Sequence, residues 1–202
     1  MALTKAAETI TDWTAVAQNT VGESGTIDIS GHYETSLFIQ AFLDSATAHT
    51  GTEFLVQISN QASGDEDWAD LCRFVELIGT ANAEPLTNNP AAAGTTVFTC
   101  VSTTGYAVAD VPLPWIAIED ATLINSELCL LVAISANTSV TVQDGSKNEH
   151  AQNTGMWNIG FAKTISLGLG TGLRARLVVG NTYDSNGSSL NFKVNAVKVT
   201  GV

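Results

Sequence analysis

In SLNFKVNAVKV, residues 189–199, Leu190, Phe192, Val194 and Ala196 alternate with Asn191, Lys193 and Asn195. This period-two rhythm restricts the fold more than any other feature of the chain. Successive side chains of an extended backbone point to opposite faces, so such a segment forms a strand with one face buried. The rhythm recurs in TIDIS (26–30), with Ile27 and Ile29 on one face, and in SLFIQAFLD (36–44), with Leu37, Ile39, Ala41 and Leu43 opposed by Phe38 and Phe42. It recurs again in EFLVQIS (53–59), KTISLGL (163–169) and GLRARLVVG (172–180). No segment carries a sustained helical repeat; DWADLCRFVEL alone reads as a short turn of helix.

The middle of the chain breaks the pattern. Residues 80–94, TANAEPLTNNPAAAG, hold Pro85 and Pro90 and read as a linker or boundary. Short strand-like runs follow in TTVFTCV, PWIAIED, SELCLLVAIS and TSVTVQDGS, separated by turn formers. The expected architecture is therefore all-β: a β-sandwich from residues 1–80 and 155–202, with a small β-barrel inserted over 92–150. Between the last two long strands lies GNTYDSNGSS, whose Asn186-Gly187 is a hairpin signal, so those two strands are expected to pair.

Charge excludes some functions. Only 14% of the residues are charged, where a soluble domain averages about 25%. The formal net charge of −12 argues against a nucleic-acid binder, because phosphate has to be neutralised by Lys and Arg. Lys5, Arg73 and Lys147 face nineteen acids up to residue 160, whereas Lys163, Arg174, Arg176, Lys193 and Lys198 face only Asp184 beyond it. Alternation points Arg174 and Arg176 away from the core, and Lys193 likewise on the following strand. Paired as a hairpin, the three would share one outward face, the expected docking surface for an acidic partner.

The chemistry-bearing residues do not converge. Cys72, Cys100 and Cys129 lack C-x-x-C spacing and sit in apolar runs, so they read as buried free thiols made in a reducing compartment. His32, His49 and His150 have no histidine at ligand spacing, and no G-x-S-x-G elbow occurs. Asp65, Glu66 and Asp67 read as a solvated loop tip, or at most a weak cation site, because consecutive acids do not alternate as calcium ligands do. GLGTG (168–172) joins strands and opens no helix, so it is a turn. Glu119 and Asp120 lie at a strand end, and Trp13, Trp68, Trp115 and Trp157 sit among packing residues. The expectation is no enzyme activity, no catalytic, metal or cofactor site, and a chain with neither a signal peptide nor a membrane span.

The stretch TDWTAVAQNTVGESGTIDISGHYETSLFIQAFLDSATAHTGTEFLVQIS, continuing through DEDWADLCRFV to ARLVVGNTYDSNGSS, resembles the head decoration (cement) proteins of tailed bacteriophages. So does the insert, with AAAGTTVFTCVSTTGYAVAD, IAIEDATLINSE and VTVQDG. The resemblance covers most of the chain and rests on strand-and-turn phrasing. It implies a jelly-roll-like sandwich on the outside of a virion, assembled in a host cytoplasm. It also implies a homo-oligomer, a trimer by preference, that clamps the major capsid protein. It brings no catalytic residues, no nucleic acid and no membrane. The alternative is a carbohydrate-binding or host-attachment module of a phage fibre.

Overall fold

The computed structural model describes residues 3–44, 48–64, 67–80, 83–108, 114–168, 172–181 and 190–201. Apart from a 3-10 turn at Leu123–Asn125, every regular element among them is a strand. Nine strands build a two-sheet sandwich: β1 (Leu3–Val16), β2 (Thr20–Glu23), β3 (Ile27–Asp28), β4 (Glu34–Leu43), β5 (Ala48–Ser59), β6 (Trp68–Thr80), β12 (Gly155–Gly168), β13 (Arg174–Asn181) and β14 (Leu190–Gly201). Five more lie between them in sequence: β7 (Ala83–Pro85), β8 (Val97–Thr99), β9 (Trp115–Glu119), β10 (Glu127–Ser135) and β11 (Ser139–Val142).

One sheet of the sandwich runs β1-β14-β4-β12 and the other β2-β13-β5-β6, with β3 continuing β2 along β13. Among the nine described sandwich strands the chain changes sheet at most connections, and only β5 and β6 follow one another as paired neighbours. That is jelly-roll topology. The alternation seen in the sequence is what fills its core. Leu37, Ile39 and Ala41 from β4, Phe54 and Val56 from β5, and Ala175, Leu177 and Val179 from β13 are fully buried in one cluster. Leu190, Phe192, Val194 and Ala196 from β14 complete it. Each buried Leu, Ile, Val or Phe among them contributes about 1.5–3 kcal/mol of transfer free energy.

Two expectations are corrected here. The strands β13 and β14 do not form a hairpin: β13 pairs with β2, β3 and β5, and β14 with β1 and β4. Alternation assigns residues to a face but not a strand to a neighbour, and this connection crosses between sheets. Asn186-Gly187 itself lies outside the described residues. The segment DWADLCRFVEL is not helical but forms most of β6, antiparallel to β5. Val56 faces Cys72 and Gln57 faces Asp70, so Leu71 is an extra, bulged residue. Trp68, Leu71 and Phe74 stand three apart in sequence, which imitates a helical stripe, although Trp68 lies with the outer-face arginines. Phe74 instead stacks on Phe54 across the strand pair at 5.3 Å.

The insert closes on itself. From β12 the ladder runs through β9, β10 and β11 to β8. Next to β8, Cys100 bridges to Leu86, and the Thr87 N–H donates to Thr99 O at 2.8 Å. The adjoining β7 pairs back onto β12 at Gly155–Trp157. The N-terminal end of β12 is therefore a stave of this barrel, while Gly160–Gly168 pairs with β4 in the sandwich. Leu86, Phe98, Ile116, Ile118, Val140 and Met156 are fully or almost fully buried inside it. The Tyr106 hydroxyl donates to Met156 O at 2.6 Å, and burial pushes its pKa up. The segment read as a linker thus supplies a strand, the buried Leu86, and an Ala91–His150 bridge.

The barrel leans on the outer face of the first sheet. Phe42 alternates with the core residues of β4, yet it is fully buried. Trp13 meets it edge-on at 5.2 Å, and Ala117, Leu123, Leu128 and Trp157 complete the cover.

Candidate functional site

The structure separates the three basic residues. Arg174 and Arg176 lie on the outer face of the second sheet, flanking Trp68 at 5.0 and 4.4 Å from its ring. Arg174 donates from Nε to Gln61 O at 2.6 Å and from a terminal nitrogen to Gly64 O at 2.7 Å, closing the β5–β6 loop. Arg176 pairs with Glu23 at 2.9 Å and donates to Gln57 Oε1 at 2.9 Å. Lys193 is on the outer face of the first sheet, paired with Asp12 at 2.7 Å. Its hydrogen bond holds the Asp12 carboxyl below the usual carboxylate range, against the opposing effect of burial. One shared face is therefore replaced by two patches on two sheets.

The other candidates also find places. Cys100 and Cys129 are buried and Cys72 is half-buried, all as free thiols. Burial raises the Cys100 thiol and pushes Cys129 up to about 12. Asp65 and Glu66 lie outside the described residues; Asp67 is exposed and accepts a hydrogen bond from Gln61 Nε2. Trp157 Nε1 donates to Glu119 at 2.7 Å, so that carboxylate braces the barrel wall. Among the described residues, no three His, Cys, Asp or Glu side chains are grouped to hold a metal ion.

Sequence reasoning missed the buried polar cluster of the barrel. His150 is fully buried between two carboxylates, with Nε2 2.8 Å from Glu127 Oε1 and Nδ1 3.4 Å from Asp120 Oδ2. Glu127 also accepts the backbone N–H groups of Lys147 at 2.7 Å and Asn148 at 2.8 Å. Burial pushes the Glu127 carboxyl up, but these three hydrogen bonds outweigh it and its pKa lies below the ordinary value. The signal was present in SELCLLV: Glu127 shares a face with Cys129 and Leu131, so an acid stood on a core face. Its partner is twenty-three residues away and arrives only when the barrel closes.

Two clefts flank the barrel–sheet contact. One, of about 330 Å3, is lined by Asp44, Glu119, Asp120 and Asn191. The other, of about 320 Å3, has Gln40, Lys193 and Asn195 on the sheet side and Ser126, Lys147 and Asn148 on the barrel side. Trp13, Ile124 and Leu128 supply its apolar walls.

No family model matches the chain, and no curated protein matches it. Among solved structures it is similar to the SPBc2 prophage-derived protein YomS, at 11% identity and a TM-score of 0.32, over 99% of this chain and 96% of that one. It is similar to VP17, a capsid protein of bacteriophage P23-77, at 8% identity and a TM-score of 0.21, over 98% and 97% of the two chains. A third is the K3 cleaved adhesin domain of Lys-gingipain from Porphyromonas gingivalis, at 11% identity and a TM-score of 0.35, over 88% of this chain and 63% of that one. Likenesses at these scores carry no functional weight.

Proposed function

We propose that this chain is a non-enzymatic structural protein of a tailed-phage virion. In this reading it decorates the outer capsid surface, binds the major capsid protein and stabilises the head as a homotrimer. The observation that carries the reading is a long open edge on a jelly roll. The strand β1 closes one end of its sheet with fourteen residues, and from Leu3 to Thr9 its side chains are exposed on both faces. On one side it has β14; on the other, no described strand. Monomeric sandwiches shorten, bulge or cover such edges, because a free row of N–H and C=O groups is a template for a further strand. The strand β1 is bulged between Thr9 and Thr14, but from Leu3 to Thr9 its register is unbroken. A neighbouring subunit completing this edge would satisfy that row. Jelly rolls host many functions, so topology alone assigns none. The sequence resemblance to decoration proteins is what points to the phage head.

The alternative of a fibre module that stacks sugar rings on a sheet face calls for exposed, coplanar aromatics. Trp13 is 8% exposed, Trp157 is tied to Glu119, and Trp68 lies under two arginines. The decoration reading keeps Arg174, Arg176 and Lys193 as interface residues, now in two patches. The test is co-sedimentation of the purified chain with heads that lack it, across a salt series. Arg174→Glu with Arg176→Glu should weaken attachment most at low salt, because long-range attraction between charges is screened over about 8 Å at physiological salt. A dispersed NMR spectrum of the variant must accompany the result, since Arg174 also closes a loop. Unchanged attachment removes the two arginines from the interface, and wild-type protein that never sediments with heads removes the decoration reading.

A further inference from the structure

The cleft between the barrel and the first sheet carries hydrogen-bonding capacity that no other described residue uses. On its sheet side, Gln40 stands directly opposite Lys193 in the β4–β14 register, and Asn195 lies two residues further along the same face. Such diagonal neighbours lie about 7–8 Å apart, the span of one small ligand. The Gln40 and Asn195 side chains make no hydrogen bond to another described residue. Across the cleft, the ammonium of Lys147 has no ion pair among the described residues. The remaining charges are already spent: Lys193 on Asp12, and Glu127 on His150 and two backbone N–H groups.

The volume of about 320 Å3 falls at the lower end of small-ligand sites, about 300–1,000 Å3. Two unspent carboxamides and one unspent ammonium define the chemistry. A carboxamide both donates and accepts, as a sugar hydroxyl does, so adjacent amides suit vicinal hydroxyls. A lone ammonium suits a single carboxylate. A phosphate group would ask for a helix N-terminus or a forked arginine, and the described lining has neither. We infer that this cleft binds a carboxylated saccharide of uronic-acid type, with its hydroxyls on Gln40 and Asn195 and its carboxylate on Lys147. The inference is independent of the virion reading: either can fail alone.

The experiment is an NMR titration of the full chain with D-glucuronate, D-glucose and acetate as separate probes. Glucuronate should shift the side-chain amide signals of Gln40 and Asn195 and saturate in the millimolar range. Lys147→Gln should weaken glucuronate about tenfold, the loss of about 1.4 kcal/mol, and Gln40→Ala should weaken both sugars. Both sites are surface-facing, so unchanged dispersion elsewhere in the spectrum confirms the fold of each variant. Glucose should bind more weakly than glucuronate, and acetate should not saturate. The inference is overturned by absent saturation with about 20 mM glucuronate. It is equally overturned by shifts that map elsewhere, by acetate binding as tightly as glucuronate, or by insensitivity to Lys147→Gln.

Discussion

Replacing Glu127 by glutamine tests the polar cluster that holds the barrel closed. Three donors converge on this one buried carboxylate: His150 Nε2 at 2.8 Å, the Asn148 N–H at 2.8 Å and the Lys147 N–H at 2.7 Å. The first two meet Oε1 and the third meets Oε2. A carboxamide with its oxygen at Oε1 keeps two acceptances but turns an NH2 group towards the Lys147 N–H. One donor is orphaned, at about 1–3 kcal/mol, and two charge-assisted bonds become neutral, at about 1 kcal/mol each. A loss of about 3–5 kcal/mol results, or roughly 6–20 °C in Tm for a chain of this size. The pH dependence supplies a second signature. The Glu127 pKa is depressed in the folded state, so its stabilisation is complete above the ordinary carboxylate pKa of about 4.3 and fades as pH falls through the lower folded value. Calorimetric melts from neutral to acid pH should show wild type losing this increment and Glu127→Gln lacking it throughout. A variant melting within a degree or so of wild type, with the same acid slope, would refute the reasoning.

Three further outcomes follow from the same geometry. Cys129, raised to about 12, holds about a thousandfold less thiolate than an ordinary thiol. Alkylation followed by mass spectrometry should therefore modify the half-buried Cys72 well before Cys100 or Cys129; simultaneous modification would contradict the burial. A Cβ on Gly145 would collide with the backbone of Gly94, whose N–H donates to Ser146 O at 2.7 Å. Gly145→Ala should cost about 1–3 kcal/mol, read as a lowered Tm, and an unchanged Tm would show that the two loops part freely. Excision of residues 92–150 behind a short Gly-Ser bridge, with Leu86→Gln and Met156→Gln to cover the exposed staves, should leave a folded sandwich, because loop-closure cost grows slowly with length. A molten product by near-ultraviolet circular dichroism would mean that sandwich and barrel fold only as one.

Much of the fold was legible because period-two alternation reports burial directly. Leu37, Ile39 and Ala41, and likewise Leu190, Phe192 and Val194, occupy the core face that their spacing assigns. Neighbour relations were not legible. A jelly roll sends consecutive strands to opposite sheets, and nothing local in GLRARLVVG separates a hairpin partner from a crossover. Bulges hide period two, as Leu71 does in β6. Phe42 faces away from the sandwich core, and Trp13 of β1 together with the barrel explains its burial. The buried cluster was invisible for a related reason: His150 meets Asp120 and Glu127 only through closure of a six-stave ring that borrows one end of β12.

The central claim, stabilisation of a capsid by a jelly roll with an open edge, is tested most directly by heating heads. Heads lacking this protein, with and without saturating purified chain, would be scanned for the temperature at which they release DNA. The account predicts a higher release temperature for the saturated heads, with the gain saturating as attachment sites fill. Release at the same temperature, with the protein demonstrably attached, would contradict it.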